Sequence, residues 1–334
     1  MSAETCLDQE RCVNKVSKQA ARMANPLTGG VGKFFINKNP FENSKLQKSM
    51  PTTSVVIPTF NRERFIKECV ESVMFQTTQP DEIIVVDDGS VDNTREILET
   101  IGFSDAVNGE TRLRYIFQNN KGVSSARNAG IKASRSEYIA FLDSDDHWEK
   151  NKLEKQMAGL RKESFCSRLS HTDETWIRNG VKVNARKKHA KSGGDIFLKC
   201  LKLCCISPSS SLIHRSVFDD FGYFDENLLA CEDYDFWLRF CAYEKVHYLD
   251  ETLLIKYGGH EGQLSHTYWG MDRFRICALE KLLLDQSLSS FKRQETLKEI
   301  IFRLEILING SLKRNKGLFA HRMIYKKSHW ESLL

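Results

Sequence analysis

The chain has 334 residues, 41% of them apolar, and its 49 basic and 44 acidic side chains leave a net charge of +5. That is enough to bury the core of one large α/β domain or two modest ones, and the mild, dispersed charge does not require nucleic acid as a partner, although it suits a phosphate-bearing ligand. No uncharged run approaches the roughly 20 residues that span a bilayer, and the amino terminus has no continuous apolar segment, so a cytoplasmic protein is expected rather than a secreted or membrane-inserted one.

Residues 1–51 read as a partly disordered extension, with a short helix over 10–23 ahead of Pro26 and Gly29-Gly30. From Thr52 the pattern becomes βαβ. Strands are predicted at 54–58, 82–87, 113–117 and 138–142, apolar enough to be covered on both faces, with helices near 62–76, 92–100 and 122–134. A Rossmann-like α/β fold with a mixed, mostly parallel sheet follows. Right-handed crossovers then bring the carboxyl ends of these strands to one edge, where open α/β sheets bind ligands. A helix is expected from Trp148 to about Lys162, then a less regular half with a polar stretch at 179–194 and a helix at 195–203. Two helices between Asp272 and about Lys313 close the chain over the core. The ten cysteines show no paired CxxC spacing and read as reduced, mostly buried thiols. Cys200, Cys204 and Cys205 lack the second ligand pair of a zinc site.

The polar motifs fall at the predicted sheet edge. Pro58-Thr59-Phe60-Asn61-Arg62 is a polar turn opening a helix, which serves either a nucleotide or an ordinary capped turn. Asp87 and Asp88 follow an apolar strand, where a carboxylate can accept hydrogen bonds from a base or ribose, whereas Ser90 and Asp92 read as helix caps. The small-residue helix 122–130 lets a backbone or phosphate come close and carries Arg127 as a cationic fork. Strongest is Asp143-Ser144-Asp145-Asp146 at the end of an apolar strand: such a cluster repels itself unless a cation sits in it, and oxygen-only ligands favour Mg²⁺ or Mn²⁺. Its plain alternative is an acidic surface turn.

VVIPTFNR, EIIVVDDGSVDNT, GVSSARNAG and YIAFLDSDD, in this order, resemble an inverting family 2 glycosyltransferase of the GT-A fold over roughly residues 52–265. The resemblance implies a nucleotide-binding half at 52–148, an acceptor half at 149–268 and a helical region at 269–334. Thr59, Asn61, Arg62 and Asp88, with Pro58, would hold the nucleoside, and Arg127 would lie by the nucleotide. Asp143, Ser144 and Asp145 match the DxD motif, with Ser144 near the ribose, Asp145 on the metal and Asp146 as an adjacent ligand. Glu232-Asp233 matches the ED motif, whose second carboxylate is the general base, so Asp233 takes that role with Glu232 as its rival. His260, in a Gly-rich segment with His266, would meet the metal or diphosphate. Residues 170–174 and 207–210 would line the acceptor side. The implied partners are a nucleotide-sugar donor, UDP-linked by family precedent, and a carbohydrate or lipid-linked acceptor; the Lys-rich stretch 313–327 reads as a solvated basic face or, alternatively, as a peripheral membrane contact. Competing readings are a metal-dependent nucleotidyltransferase and an inactive sugar-nucleotide binding protein. The first would carry a Gly-rich loop after the first strand, which residues 58–62 lack, and the second would have lost an acidic motif.

Overall fold

The computed structural model describes residues 51–102, 112–161, 167–183, 189–259 and 267–334. The chain divides into Met1–Pro51 and Thr52–Leu334; the expected extension, its short helix, and His260 and His266 lie outside the described residues.

Four parallel strands form the half of the sheet that carries the motifs: β1 (Thr53–Thr59), β2 (Glu82–Asp87), β3 (Arg112–Phe117) and β4 (Tyr138–Phe141). Their order is β3-β2-β1-β4. The chain therefore winds outward from β1 to β3 and then crosses back to the other side of β1. Such a reversal opens a crevice at the carboxyl ends of the two central strands, and here those ends are Thr59 and Asp143. Helices α1 (Ile66–Met74), α2 (Thr94–Thr100) and α3 (Val123–Ala133) make the connections. Helix α3 lies so close on β1 that a Cβ at Gly130 would sit 2.3 Å from Cγ1 of Val56, which explains a glycine inside a helix despite its entropic cost.

Beyond β4 the sheet continues through β8 (Leu212–His214), β6 (Leu169–Arg178), β9 (His247–Gly258) and β5 (Asp146–Trp148), with β7 (Val181–Val183) on β6. β8 is antiparallel to β4 and to β6, β9 runs parallel to β6, and β5 is antiparallel to β9. The helices of this half are α4 (Lys152–Arg161), α5 (Phe197–Lys202), α6 (Ser216–Phe221) and α7 (Glu232–Cys241), followed by α8 (Asp272–Leu283), α9 (Ser290–Leu312) and α10 (Gly317–Glu331).

Successive strand residues face opposite sides of the sheet, and the core divides accordingly. Val55, Ile57 and Leu142 pack with Ile66, Val70 and Trp148 on one side. Val56, Ile139 and Phe141 pack on the other with Phe218, Phe224 and Phe236. There the Phe141 ring meets Phe224 edge-on at 5.4 Å, and Phe224 stacks on Phe236 at 4.8 Å, a pairing worth ~1 kcal/mol beyond area burial. Leu279, Ile300 and Leu304 belong to this same cluster, so α8 and α9 complete the core of the sheet's second face. Arg303 of α9 adds a polar tie, donating to Asp272 and to the carbonyls of Leu201 and Lys202 at the end of α5. The expected pair of closing helices is followed by a third, α10, in which only Ala320 is fully buried while Phe319, Met323 and Trp330 pack part-buried against the core.

One buried histidine makes stability depend on pH. His171 on β6 is fully buried, its Nε2 bonds the Ser192 carbonyl at 3.0 Å, and its Nδ1 has no partner. Burial, helped by Lys191, pushes its pKa from 6.5 to about 3. The folded state therefore resists a proton that the unfolded chain accepts. The contribution is intact above the unfolded value and is lost as pH falls from about 6.5 towards about 3. Urea unfolding should show a loss of about 2 kcal/mol between pH 6.5 and 4.5, at up to 1.36 kcal/mol per unit, and a His171→Gln protein should lack most of that slope.

Candidate active site

The loop after β1 is held by backbone and side-chain bonds to the loop after β2. Asn61 sits at φ +53°, a conformation that asparagine tolerates better than most residues. Its Oδ1 accepts from the Val91 amide at 2.9 Å, while its own amide donates to Ser90 Oγ at 2.8 Å. The Arg62 amide donates to Thr94 Oγ1, and the Arg62 guanidinium turns back to the carbonyls of Phe60 and Asn61 and lies 3.8 Å from Asp145. Asp92 accepts from the Glu63 and Thr94 amides, which is the capping part expected of it. Pro58 is buried within β1. Thr59, at its end, has a buried hydroxyl with no partner, as has Ser124 at the start of α3.

Asp88 has a different part from the one the sequence suggested. Its carboxylate accepts from Gln118 Nε2 at 2.6 Å and from the amides of Lys121 and Gly122 at 2.9 and 2.8 Å. These bonds hold the turn at Gly122, where φ is +91°, and so fix where α3 begins. Asp88 thus shapes the loop that delivers Arg127. Asp87 is likewise committed, to the Ser90 amide and the Tyr115 hydroxyl.

Arg127 is the centre of the arrangement. It is 3% exposed. Nη2 donates to Asp143 Oδ1 at 2.7 Å and Nη1 donates to Glu232 Oε1 at 2.6 Å, with the Phe224 ring 5.3 Å away. One guanidinium therefore joins the acidic end of β4 to the first residue of α7. Sequence reasoning placed Arg127 by the nucleotide; its side chain instead lies beneath the site as the brace between the two acidic motifs. Cys231 at φ +62° turns the chain sharply into α7, which brings Glu232 inward and leaves Asp233 partly exposed. Burial foremost, then Asp233, raises the Glu232 carboxyl above its ordinary value, against the pull of Arg127.

The cation that the acidic cluster calls for comes partly from the chain itself. Lys256 on β9 places Nζ 3.1 Å from Asp146 and 3.9 Å from Asp143. Although burial opposes ionisation at Asp143, Arg127 and then Lys256 hold its carboxyl below the usual range. Asp146 is buried between Lys256 and Ser209 Oγ, the latter at 2.6 Å. Burial outweighs Lys256 and, with Asp143 and Asp145, pushes its carboxyl up to about 7. Asp146, expected as an adjacent metal ligand, is accordingly engaged with Lys256 and Ser209. Ser144 is buried, and Asp145 is partly exposed beside Arg62.

Among the described residues no group of three or more His, Cys, Asp or Glu surrounds a common point. An ion here would have to complete its shell from a bound ligand and water, as Mg²⁺ commonly does. The described residues do not form an all-protein cage.

Lys256 escaped the sequence reading because it lies far along the chain on a strand that returns beside β5. The other missed contributor is Ser209: its hydroxyl accepts from the Asp143 amide and donates to Asp146. The segment expected to line the acceptor side therefore props the acidic cluster. Its neighbour Ser207 donates to Glu174, which also pairs with Lys191 at 2.6 Å, so the two segments assigned to the acceptor side do meet. Against burial, Lys191 and Lys256 bring the Glu174 carboxyl down to about 2. Asp233 accepts from the Tyr234 amide at 2.7 Å and from the Cys204 thiol at 3.1 Å. Cys204 is exposed, unlike the other described cysteines, and all of these are free thiols.

The family model for glycosyl transferase family 2 matches residues 54–222, the span that carries β1 to β4 and their acidic ends. An uncharacterised glycosyltransferase of Rickettsia typhi is 33% identical over 223 residues, covering 65% of this chain and 67% of its own length. One of Rickettsia felis is 32% identical over 315 residues, which is 88% of this chain but 49% of that protein. The chain thus spans about half the length of the latter. Among solved structures, S. aureus TarS 1–349 in complex with UDP-GlcNAc aligns with a TM-score of 0.60 at 21% identity, over 76% of this chain and 71% of that one. A mixed α/β sheet with its acidic residues at one edge, the matched span and the Rickettsia relatives agree: the chain belongs to glycosyl transferase family 2.

Proposed function

We propose that this chain moves a sugar from a nucleotide-diphospho donor, UDP-linked, to an acceptor hydroxyl with inversion, in the cytoplasm, for a surface polysaccharide, glycolipid or glycoprotein. The observation that carries the reading is Arg127, whose two nitrogens reach Asp143 and Glu232 at 2.7 and 2.6 Å. It puts the nucleotide edge of the sheet and the proposed base on one rigid support. S. aureus TarS, whose fold is similar, has been solved with UDP and with UDP-GlcNAc, which favours a UDP-linked donor here.

In this reading Thr59, Asn61 and Arg62 meet the nucleotide at the end of β1. Asp233 takes the proton of the acceptor hydroxyl, and Glu232, bound to Arg127, holds the start of α7 in register. Attack on the anomeric carbon from the face opposite the leaving diphosphate inverts its configuration, so the protein's work is orientation and charge placement. A Mg²⁺ or Mn²⁺ held by Asp145 and Asp143 would neutralise charge on the leaving diphosphate. Isothermal titration with UDP, run with Mn²⁺ and with a chelator, tests the donor site. Binding should need the metal, and Asp145→Asn should weaken it on the order of 10- to 100-fold, the loss that even an outer-shell partner of a metal causes. Equal affinity in chelator, or in the Asn protein, would overturn the metal assignment. No binding of UDP among a panel of nucleotides would overturn the donor.

A further inference from the structure

The turn between α9 and α10 exposes every residue from 312 to 318. Within it stand Lys313, Arg314 and Lys316, with Leu312 53% and Leu318 72% exposed at its two ends. Asn315 at φ +56° makes the corner tight, so the cations and both leucines share one small surface. Trp269 lies against it: Lys316 Nζ is 4.3 Å and the Arg273 guanidinium 3.7 Å from its ring, and Phe319 meets it edge-on at 5.5 Å. The surface continues along α10, where Leu318, Arg322 and Tyr325 recur at helical spacing and Tyr325 is 80% exposed. No Asp or Glu occurs between Glu305 and Glu331. The inward cations of α10 are already matched, Lys326 by Glu280 and Lys327 by Glu305 and Glu331. Lys313, Arg314 and Lys316 are exposed beside apolar side chains.

Cations alone would describe a solvated basic face. Leucines, a tyrosine and a tryptophan among them, in a stretch free of acids from 306 to 330, match a surface that is anionic outside and apolar within. We propose that the α9–α10 corner, with Trp269, docks on an anionic lipid bilayer. Trp269 is also tied through its own segment to the start of α7. The carbonyl of Met271, two residues beyond Trp269, accepts from the thiol of Cys231, the residue before Glu232. Docking there would bring α7 towards acceptors carried on lipid.

Co-sedimentation of the full chain with vesicles of phosphatidylcholine alone, or of phosphatidylcholine with equimolar phosphatidylglycerol, tests the proposal. The protein should bind the second kind and be released by salt. Lys313→Gln/Arg314→Gln/Lys316→Gln should lower partitioning on the order of 100-fold, at a few-fold per cation. Leu312→Ser/Leu318→Ser should weaken binding at low and high salt alike. Equal partitioning onto both vesicles, none onto either, or a triple variant that binds like the parent would overturn the proposal. So would a dimer in light scattering that the Leu→Ser pair dissolves, or retention on a DNA oligonucleotide without vesicle binding. UDP titration of the same proteins should be unchanged; its failure in every protein, parent included, would count against the donor reading and leave the vesicle result standing.

Discussion

An Arg127→Met protein should lose about 3–5 kcal/mol of stability in urea unfolding at neutral pH, the cost of stripping the partner from buried carboxylates. Its transfer rate should fall on the order of 100-fold or more, the penalty of a slightly misplaced reacting group. The reason is the sharing of one guanidinium. Arg127, Asp143 and Glu232 have side chains 4%, 26% and 6% exposed, so removing the cation leaves two carboxylates that water reaches poorly. The Glu232 carboxyl is already raised by burial and by Asp233 and would rise further without Arg127. A group whose folded pKa exceeds its unfolded value favours the fold below the unfolded pKa and loses that advantage as pH rises through the folded one. The deficit of the Met protein should therefore shrink as pH falls towards the ordinary carboxylate range. Adding Glu232→Gln should restore part of the stability, because one buried charge goes with it, and none of the rate. Arg127→Lys should behave nearly as poorly, since a single ammonium lacks the planar fork that reaches both carboxylates. Near-parental stability in Arg127→Met would show that the two acidic motifs are held together by something else.

What could be read from the sequence and what could not differ by range. β1, β2 and β4 have apolar runs buried along nearly their whole length, so composition alone locates them, and the crossover rule puts their carboxyl ends on one edge; their order is seen only in the structure. The acidic ends of β2 and β4 were visible for the same reason. Their partners were not. Asp88 reads as a ligand-facing carboxylate until the loop at Lys121 and Gly122 is seen to donate to it. Asp146 reads as a metal ligand until β9 brings Lys256 beside it. In both cases the missing information is a long-range contact made by a polar residue, and single polar residues carry no periodicity. α10 falls inside the helical region expected at 269–334, but only two helices are read there, because its stripe of Phe319, Met323 and Trp330 is just part-buried against the core. The ED pair was found only through family resemblance. Nothing local separates Glu232 from Asp233, and it is the left-handed turn at Cys231 that sends one inward and leaves the other accessible.

That separation leads to the sharpest expected result for the chemistry. Asp233→Asn should reduce sugar transfer on the order of 1,000-fold, the middle of the range for losing a general base, while UDP affinity and unfolding stability stay near those of the parent. The amide keeps the size and the hydrogen bond from the Tyr234 amide at 2.7 Å, so the helix start should survive, but it cannot take a proton. Glu232→Gln makes the contrasting case. It weakens the charged bond from Arg127 at 2.6 Å, so a structural part would appear as altered stability with a smaller, partial loss of rate. Cys204 supplies a further check, because its thiol donates to the other Asp233 oxygen, Oδ2, at 3.1 Å. Cys204→Ala should therefore lower the transfer rate of the parent, by loosening the position of the base, and leave the Asp233→Asn protein unaffected. Full turnover in Asp233→Asn together with an inactive, stably folded Glu232→Gln would reverse the assignment and make Glu232 the base.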